Sequence, residues 1–344
     1  MATVITNLLS AIPIFGQDIV ELIYVTKFCT FFGSEIFILT FSSCVISCVP
    51  RNSGVKEGNE SIFSVLPSVG TVSIQALKKG NKIRLDTKDY LLIPYQFISF
   101  LVGLIDADGY IQITKTTKGF IAIKLILGLS IEDISTLEYI HSILKLGKII
   151  INRDLKRPYC KLIINKTGLQ EVLFPLLIHH EIFFLTETRR AQFDRAILIF
   201  RNNVKLYDQI SNNKEILSIF KLPETSSDYL KLNFFKNWLV GFTNAEGSFF
   251  IKKNNDGCFQ LKQRIHVQLF EAFKLFFKTN RNISIEKNKY LQFSVCSKTD
   301  IQTVINFFSF SGTHPLIGLK SIEYFKWLTI LQNSYRYRNL NFPQ

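Results

Sequence analysis

Apolar and polar positions follow the same plan twice along the chain. From Tyr95 the sequence reads YQFISFLVGLIDADGYIQITK, with apolar residues at helical spacing up to Gly109 and then the alternation of a half-buried strand. From Phe235 it reads FKNWLVGFTNAEGSFFIKK, the same order of signals. Each half predicts helix, two strands, helix, two strands and closing helices. The expected strands lie near 110–115, 121–127, 147–152 and 159–164 in the first half, and near 248–253, 259–267, 283–286 and 291–296 in the second.

Three landmarks recur in order. Asp108 aligns with Glu246 at an offset of 138 residues, NKTGLQEV around Lys166 with SKTDIQTV around Lys298 at 132, and LTETRRAQF with LIGLKSIEY at 131, where Arg189 and Lys320 each stand four before an aromatic residue. Two units of this length are too few and too long for a solenoid, so the pattern predicts duplication of one domain with pseudo-two-fold packing. The fold class expected is α+β: two αββαββα domains, each with an antiparallel sheet, spanning 89–205 and 231–344 and joined by a polar, turn-rich linker at 206–230 that contains Pro223.

Charge narrows the partner. The 344 residues carry a formal charge of +14, and residues 1–88 contribute only 8 basic against 6 acidic side chains, so the surplus belongs to the two repeats. A compact basic body attracts polyanions through counterion release, which points to nucleic acid. The six cysteines form no CxxC pair and the five histidines are scattered, so neither a zinc finger nor a disulfide framework is expected, and a reducing compartment fits.

The repeated nonapeptides LVGLIDADG (101–109) and LVGFTNAEG (239–247) resemble the signature of LAGLIDADG homing endonucleases. Gly103 and Ala107, like Gly241 and Ala245, lie four apart on one helical face, where small residues let two backbones approach. Side-by-side packing delivers the carboxylates of Asp108 and Glu246 to one point, with Gly109 and Gly247 expected as C-caps free to take positive φ. Two acids at helix C-termini repel each other and oppose the helix dipole, a strain that a divalent cation relieves. Oxygen donors favour Mg2+, with Mn2+ as a substitute, held by Asp108, Glu246 and backbone near Ala107 and Ala245.

The resemblance implies the same metal-binding role for the last acid of each motif, and DNA phosphodiester hydrolysis as the reaction. It also places Lys320 near the scissile phosphate, with Arg189, or alternatively Arg190, as its first-half counterpart. Arginine does not act as a base at ordinary pH, so proton transfer would fall to Lys320 and charge stabilisation to Arg189. Asp106 has Asn244 as its counterpart, a departure from the signature at a position the family does not use for metal.

Each sheet is expected to enter a major groove. Candidate DNA contacts are Gln112, Thr114, Lys124, Arg153 and Lys161 in the first half and Lys252, Lys262, Arg264 and Gln292 in the second, with the parity of the facing residues left open. Ala2 to Ile23, ATVITNLLSAIPIFGQDIVELI, resembles mitochondrial-type cytochrome b, which implies an upstream exon read into an intron of that gene and synthesis in the mitochondrion. Residues 1–24 are therefore read as an exon-like leader and 25–88 as linker, with an apolar run from Phe28 to Val49, interrupted by Glu35, about long enough for a bilayer. The function expected is a monomeric double-stranded DNA endonuclease acting on the intronless cytochrome b gene without a small-molecule cofactor. The alternatives are an RNA maturase acting on the host intron, which uses the same basic body for another polyanion, and a membrane-anchored binding protein.

Overall fold

The computed structural model describes residues 28–32, 35–39, 87–153, 156–210 and 218–344. The exon-like leader, residues 1–24, lies outside the described residues. Within the expected apolar run, β1 (Phe28–Phe32) and β2 (Glu35–Leu39) pair as an antiparallel hairpin from Phe28↔Leu39 to Phe32↔Glu35. This part of the run is thus not one membrane-length helix, and among the described residues no helix is long and apolar enough to cross a bilayer.

After α1 (Thr87–Leu91), the first half follows the order α2 (Tyr95–Asp108), β3 (Gly109–Lys115), β4 (Ile121–Ser130), α3 (Ile134–Leu144), β5 (Lys148–Asn152) and β6 (Tyr159–Asn165). It continues through α4 (Lys166–Gly168), a π turn at Leu169–Leu173 and α5 (Phe174–His179) to α6 (Glu187–Arg201). After α7 (Ser226–Leu230), the second half runs α8 (Phe235–Glu246), β7 (Gly247–Ile251), β8 (Gly257–Arg264), α9 (Val267–Phe276), β9 (Ser284–Glu286), β10 (Tyr290–Val295), α10 (Lys298–Ile305) and α11 (Gly318–Asn333). All eight expected strands are present, with ends shifted by a few residues; β8, for example, stops at Arg264 rather than 267.

The two sheets share one topology, β3-β4-β6-β5 and β7-β8-β10-β9, antiparallel throughout. Ile111, Ile123, Leu125, Leu162 and Ile164 turn toward the helices in the first sheet, as do Phe249, Phe259, Leu261, Phe293 and Val295 in the second. The period of two therefore leaves one face of each sheet free of the core.

Helices α2 and α8 join the halves. Almost every α2 residue from Phe97 to Ala107 is buried, because the helix is covered by its own sheet and by α8 together. A Cβ on Gly103 would overlap the carbonyl oxygen of Trp238, and one on Gly241 would overlap that of Phe100. These contacts are equivalent under the 138-residue offset, so the motif glycines sit at the pseudo-two-fold crossing, where only a hydrogen fits.

One expectation fails at the helix ends. Gly109 has φ −86° and Gly247 φ −81°, so neither takes the left-handed C-cap conformation. The helix passes straight into the next strand, with the N–H of Gly109 returning to Ile105 O and that of Gly247 to Thr243 O. Glycine is needed there for space: a Cβ at 109 would lie 2.7 Å from Ile105 Cγ2, and one at 247 would meet Thr243.

The segment between the halves is partly anchored. Ile121 N donates to Lys205 O, Tyr207 N to Gly119 O, and Lys115 pairs with Asp208 at 2.7 Å. Toward its other end Tyr229 is buried, and α7 packs on α9.

Candidate active site and nucleic-acid interface

The direct helix-to-strand passage sets the site. Asp108 and Glu246 are the last residues of α2 and α8, and the helices cross five residues earlier at Gly103 and Gly241, so both carboxylates emerge at the same end of the helix pair. Burial, and next the charge of Asp108, push the Glu246 carboxyl up to about 7. The Gln263 amide donates to Glu246 Oε1 at 2.8 Å and, with Lys320 and Arg189, opposes that rise. Asp108 keeps solvent contact, yet the surrounding protein removes enough water to raise its pKa; Arg189 and Lys320 work against this, and Asp133 adds to it. Two acids and two bases from four different elements thus act on one another.

The bases are held differently. Lys320 Nζ, in the first turn of α11, donates to Gly247 O at 2.6 Å and to Glu323 Oε2 at 2.7 Å, while Glu323 Oε1 accepts from Phe249 N at 2.8 Å. The first-half equivalent of Glu323 is Gln192, whose Oε1 accepts from Ile111 N at 3.0 Å. Glutamine satisfies the strand but offers no charge, and the buried Nε of Arg189 has no partner. Burial lowers the Arg189 pKa, which the carboxylates of Asp106, Asp108 and Glu246 partly offset.

Asp106 does not belong to the reactive group. It is buried and accepts from Leu185 N (2.7 Å), Thr186 N (3.2 Å), Thr186 Oγ1 (2.6 Å) and Trp238 Nε1 (2.8 Å). Burial pushes its carboxyl up to about 6 against the pull of those donors. Its counterpart Asn244 accepts from Ile317 N at 2.9 Å. Both side chains pin the backbone just before α6 and α11, the helices whose first turns carry Arg189 and Lys320. At 244 one acceptor oxygen suffices, which an amide provides, whereas at 106 both carboxylate oxygens are used.

Register settles the parity of the sheet faces. Gln112 lies opposite Lys124, Thr114 opposite Ala122 and Gly128 opposite Lys161, so Gln112, Thr114, Lys124 and Lys161 share the free face of the first sheet. Arg153 is exposed just beyond β5. In the second sheet Lys262 lies opposite Gln292 and Arg264 opposite Tyr290 on the free face, and exposed Lys252 follows β7. Lys262 is engaged by Glu286 at 2.5 Å. A groove of about 710 Å³ opens on the first sheet beside Asp108, lined also by Gly128, Arg157, Tyr159 and Lys161, and so connects the reactive end of α2 to the polar face.

Sequence reasoning missed Gln263, Glu323, Gln192, Asp133 and Arg157. Gln263 has core-facing parity on β8, and only the sheet's end position lets it reach Glu246. Glu323 and Gln192 follow Lys320 and Arg189 by three residues, one helical turn, a signal the 131-residue offset contains but whose partner is a strand N–H far along the chain.

As for a metal, the described residues contain no cluster of three or more His, Cys, Asp or Glu. The donors at the site are two carboxylates whose protonation burial favours, together with carbonyls at two helix C-termini that lack intrahelical partners. An all-oxygen, incomplete and electronegative set of this kind fits a hard divalent ion that keeps water or phosphate in its remaining positions.

Known proteins repeat the pattern. A probable intron-encoded endonuclease aI3 of Dictyostelium discoideum is 25% identical over 231 residues, covering 66% of this chain and 94% of the relative. Among solved structures, the I-LtrWI LAGLIDADG homing endonuclease aligns with a TM-score of 0.52 and 21% identity over 71% of this chain and 91% of its own. A variant of I-SmaMI gives 0.52 and 18% over 69% and 91%. These two likenesses establish the fold, with two four-stranded sheets backed by helices. The family model for LAGLIDADG endonucleases matches residues 101–193 and again 239–331, over half of the sequence in two copies. By that double match, centred on the helices that meet at Gly103 and Gly241, the chain belongs to the LAGLIDADG endonuclease family.

Proposed function

We propose that this nuclease is a monomeric, site-specific homing endonuclease that cuts double-stranded DNA at a long asymmetric site in the intronless cytochrome b gene, acting in the mitochondrion with divalent metal. The observation that carries the reading is the coupling of Asp108 and Glu246 with Arg189 and Lys320 at one helix-pair terminus, beside a groove leading onto a free sheet face. The relative I-LtrWI was solved bound to its target DNA, which supports duplex DNA as the partner here. The leader's likeness to cytochrome b supports the target gene and the compartment.

Asp108 and Glu246 would hold Mg2+, or Mn2+ in its place, with backbone near Ala107 and Ala245. When bound, the cation lowers the pKa of water and neutralises charge on the leaving 3′ oxygen. The chain's own residues do the rest. Gln263 orients Glu246 by its amide hydrogen bond. Arg189, with an unpaired Nε, offers a charge-assisted hydrogen bond to a phosphate oxygen. Lys320, held by Gly247 O and Glu323, sets its amino group beside the carboxylates, where it is placed for proton transfer with the attacking water. The free faces of the two sheets differ in sequence, so they read non-identical half-sites, with Gln112, Thr114 and Gln292 suited to base edges and Lys124, Arg153, Lys161, Lys252, Lys262 and Arg264 to phosphates or guanine.

The test is incubation of the full chain with intronless and intron-containing cytochrome b DNA and Mg2+. Cleavage of the intronless allele alone, abolished by Asp108→Asn or Glu246→Gln, is expected. Faster splicing of the host intron RNA without DNA cleavage would instead establish the maturase. Cleavage that survives both substitutions would reject the site.

A further inference from the structure

Outside the reactive centre, the second sheet carries a paired set of thiols. Cys258 lies on β8, and Cys296 is the first residue past β10; the register Val295↔Phe259 continues to place them directly opposite each other. Their sulfurs are 3.0 Å apart, and Ser294 Oγ lies 3.1 Å from Cys258 Sγ. Directly opposed residues of antiparallel strands have a Cα separation within the range that a disulfide spans. Lys252, just past β7 and on the same face by parity, lies close enough for its charge to act on both sulfurs. Contact with Cys258, helped by Lys252, lowers the Cys296 thiol pKa, while the same contact and burial push that of Cys258 up. Cys296 is therefore the more readily ionised of the two, which suits it as nucleophile, with Cys258 beside it as resolving partner of a redox couple.

We propose that Cys258 and Cys296 are a reversible oxidation site for hydroperoxides, whose conversion to a disulfide removes the thiolate charge beside Lys252 and leaves that ammonium uncompensated on the free face of the second sheet. In the first step the Cys296 thiolate attacks the peroxide oxygen. The O–O bond breaks, the sulfur loses two electrons to become a sulfenic acid, and hydroxide or alkoxide leaves. In the second step Cys258 gives its proton to that base and attacks the sulfenic sulfur; the S–S bond forms, the S–O bond breaks, and the departing hydroxide takes up a proton to leave as water. In net terms two thiols and one hydroperoxide give one disulfide, one alcohol or water, and one water. Thioredoxin-type or glutathione dithiol exchange reverses the change. Oxidation deletes one negative charge next to Lys252, so the sheet gains one free cation.

The chemical part does not depend on DNA binding; the consequence for Lys252 rests on the reading of that face as the DNA surface. The full, reduced chain is treated with hydrogen peroxide, alkylated, digested and mapped by mass spectrometry. A Cys258–Cys296 linked peptide is expected, reversed by dithiothreitol and absent from Cys296→Ser. In Cys258→Ser the sulfenic acid on Cys296 should persist and react with dimedone. Full alkylation of both thiols after peroxide, or linkage of Cys296 to any other cysteine, would overturn the site, and the wild-type map decides this even if a variant fails to fold.

Binding of a mixed-sequence DNA duplex in EDTA is then followed against salt. Oxidation should steepen the slope of log K on log salt by about 0.9, the increment for one further phosphate neutralised. Cys296→Ser should show that steeper slope without peroxide, and Lys252→Gln should not respond. A formed disulfide with an unchanged slope would refute the coupling to Lys252. Absence of any salt-dependent binding would refute the DNA-face reading instead, leaving the thiol result to stand by itself.

Discussion

Replacing Glu246 with glutamine in metal-free protein should stabilise the fold, and by more as the pH rises. The native carboxyl is pushed up to about 7, from an ordinary value of 4.5, first by burial and then by the charge of Asp108. Between those values the folded protein keeps a proton that the unfolded chain has released. Folding stability is therefore at its full value below 4.5 and is lost progressively as pH rises through 7. A shift of this size corresponds to roughly 3 kcal/mol, since one unit is about 1.4 kcal/mol. Glutamine keeps the size of the side chain and an oxygen that can accept from Gln263 Nε2, but it never carries the charge. Its advantage over the native residue should be close to nil at about pH 4 and approach about 3 kcal/mol at about pH 8. For a body of this size that is a rise in Tm of roughly 6–12 °C. The assay is urea or thermal unfolding across that pH range in EDTA, repeated with Mg2+, which should shrink the difference by stabilising only the native carboxylate. An effect of glutamine that does not vary with pH would refute the claim that the site holds its acids under strain. Cleavage by the native enzyme should also fall as pH drops below 7, because protons then compete with the cation at Glu246.

Gly103→Ala and Gly241→Ala should each destabilise the chain by about 3 kcal/mol or prevent folding, because the added methyl overlaps a helix carbonyl that cannot move without separating the halves; equilibrium urea unfolding measures this. Asp106→Asn should cost about 2–4 kcal/mol, since an amide NH2 replaces one of two oxygens that both face donors, whereas Asn244→Asp should be much milder. Lys161→Ala should weaken DNA binding almost equally across sequences and reduce the salt slope by about one, while Gln112→Ala should relax preference at a single base pair; salt titrations and a substituted-site binding panel separate the two.

What the sequence discloses and what it hides have different physical origins. The helix pair, the eight strands and the duplication are legible because each depends on local periodicity. The glycines of the motif show the limit of local pattern. Gly103 and Gly241 mark points of close approach, since a glycine within an apolar helical face weakens the helix unless another backbone takes the space it leaves. Gly109 and Gly247 suggest a left-handed cap by their place at the helix end, yet their φ values are negative and the need is for space above Ile105 and Thr243. A helix that ends by turning into its own strand differs from one that ends in a loop only in three dimensions. Gln263 is hidden for a related reason: its parity is that of the core, and only its place at the end of β8 brings its amide to Glu246. Asp106 looks like a third acid of the motif, and its role becomes visible only with the loop before α6, some eighty residues away.

The duplicated architecture also explains why the site need not behave symmetrically. Asp108 and Glu246 stand at equivalent positions, and so do the acceptors Asp106 and Asn244, Arg189 and Lys320, and Gln192 and Glu323. The last two pairs differ together. In the second half a lysine is balanced by a carboxylate that also binds the strand N–H of Phe249. In the first half an arginine stands beside an amide that binds the strand N–H of Ile111 and brings no charge of its own, and the guanidinium Nε has no hydrogen-bond partner. Backbone positioning is thus common to both halves while the electrostatic work is divided unequally. In the proposed reaction Arg189 would serve a phosphate through its unpaired Nε, and Lys320, held by Gly247 O and Glu323, would serve proton transfer. Both influence Asp108 and Glu246 across the helix pair, so on the proposed reading neither half would contain a complete reactive centre. On that reading the close helix contact at Gly103 and Gly241 would serve the chemistry as well as the fold, because a small separation of the two backbones would weaken all of these pairings at once.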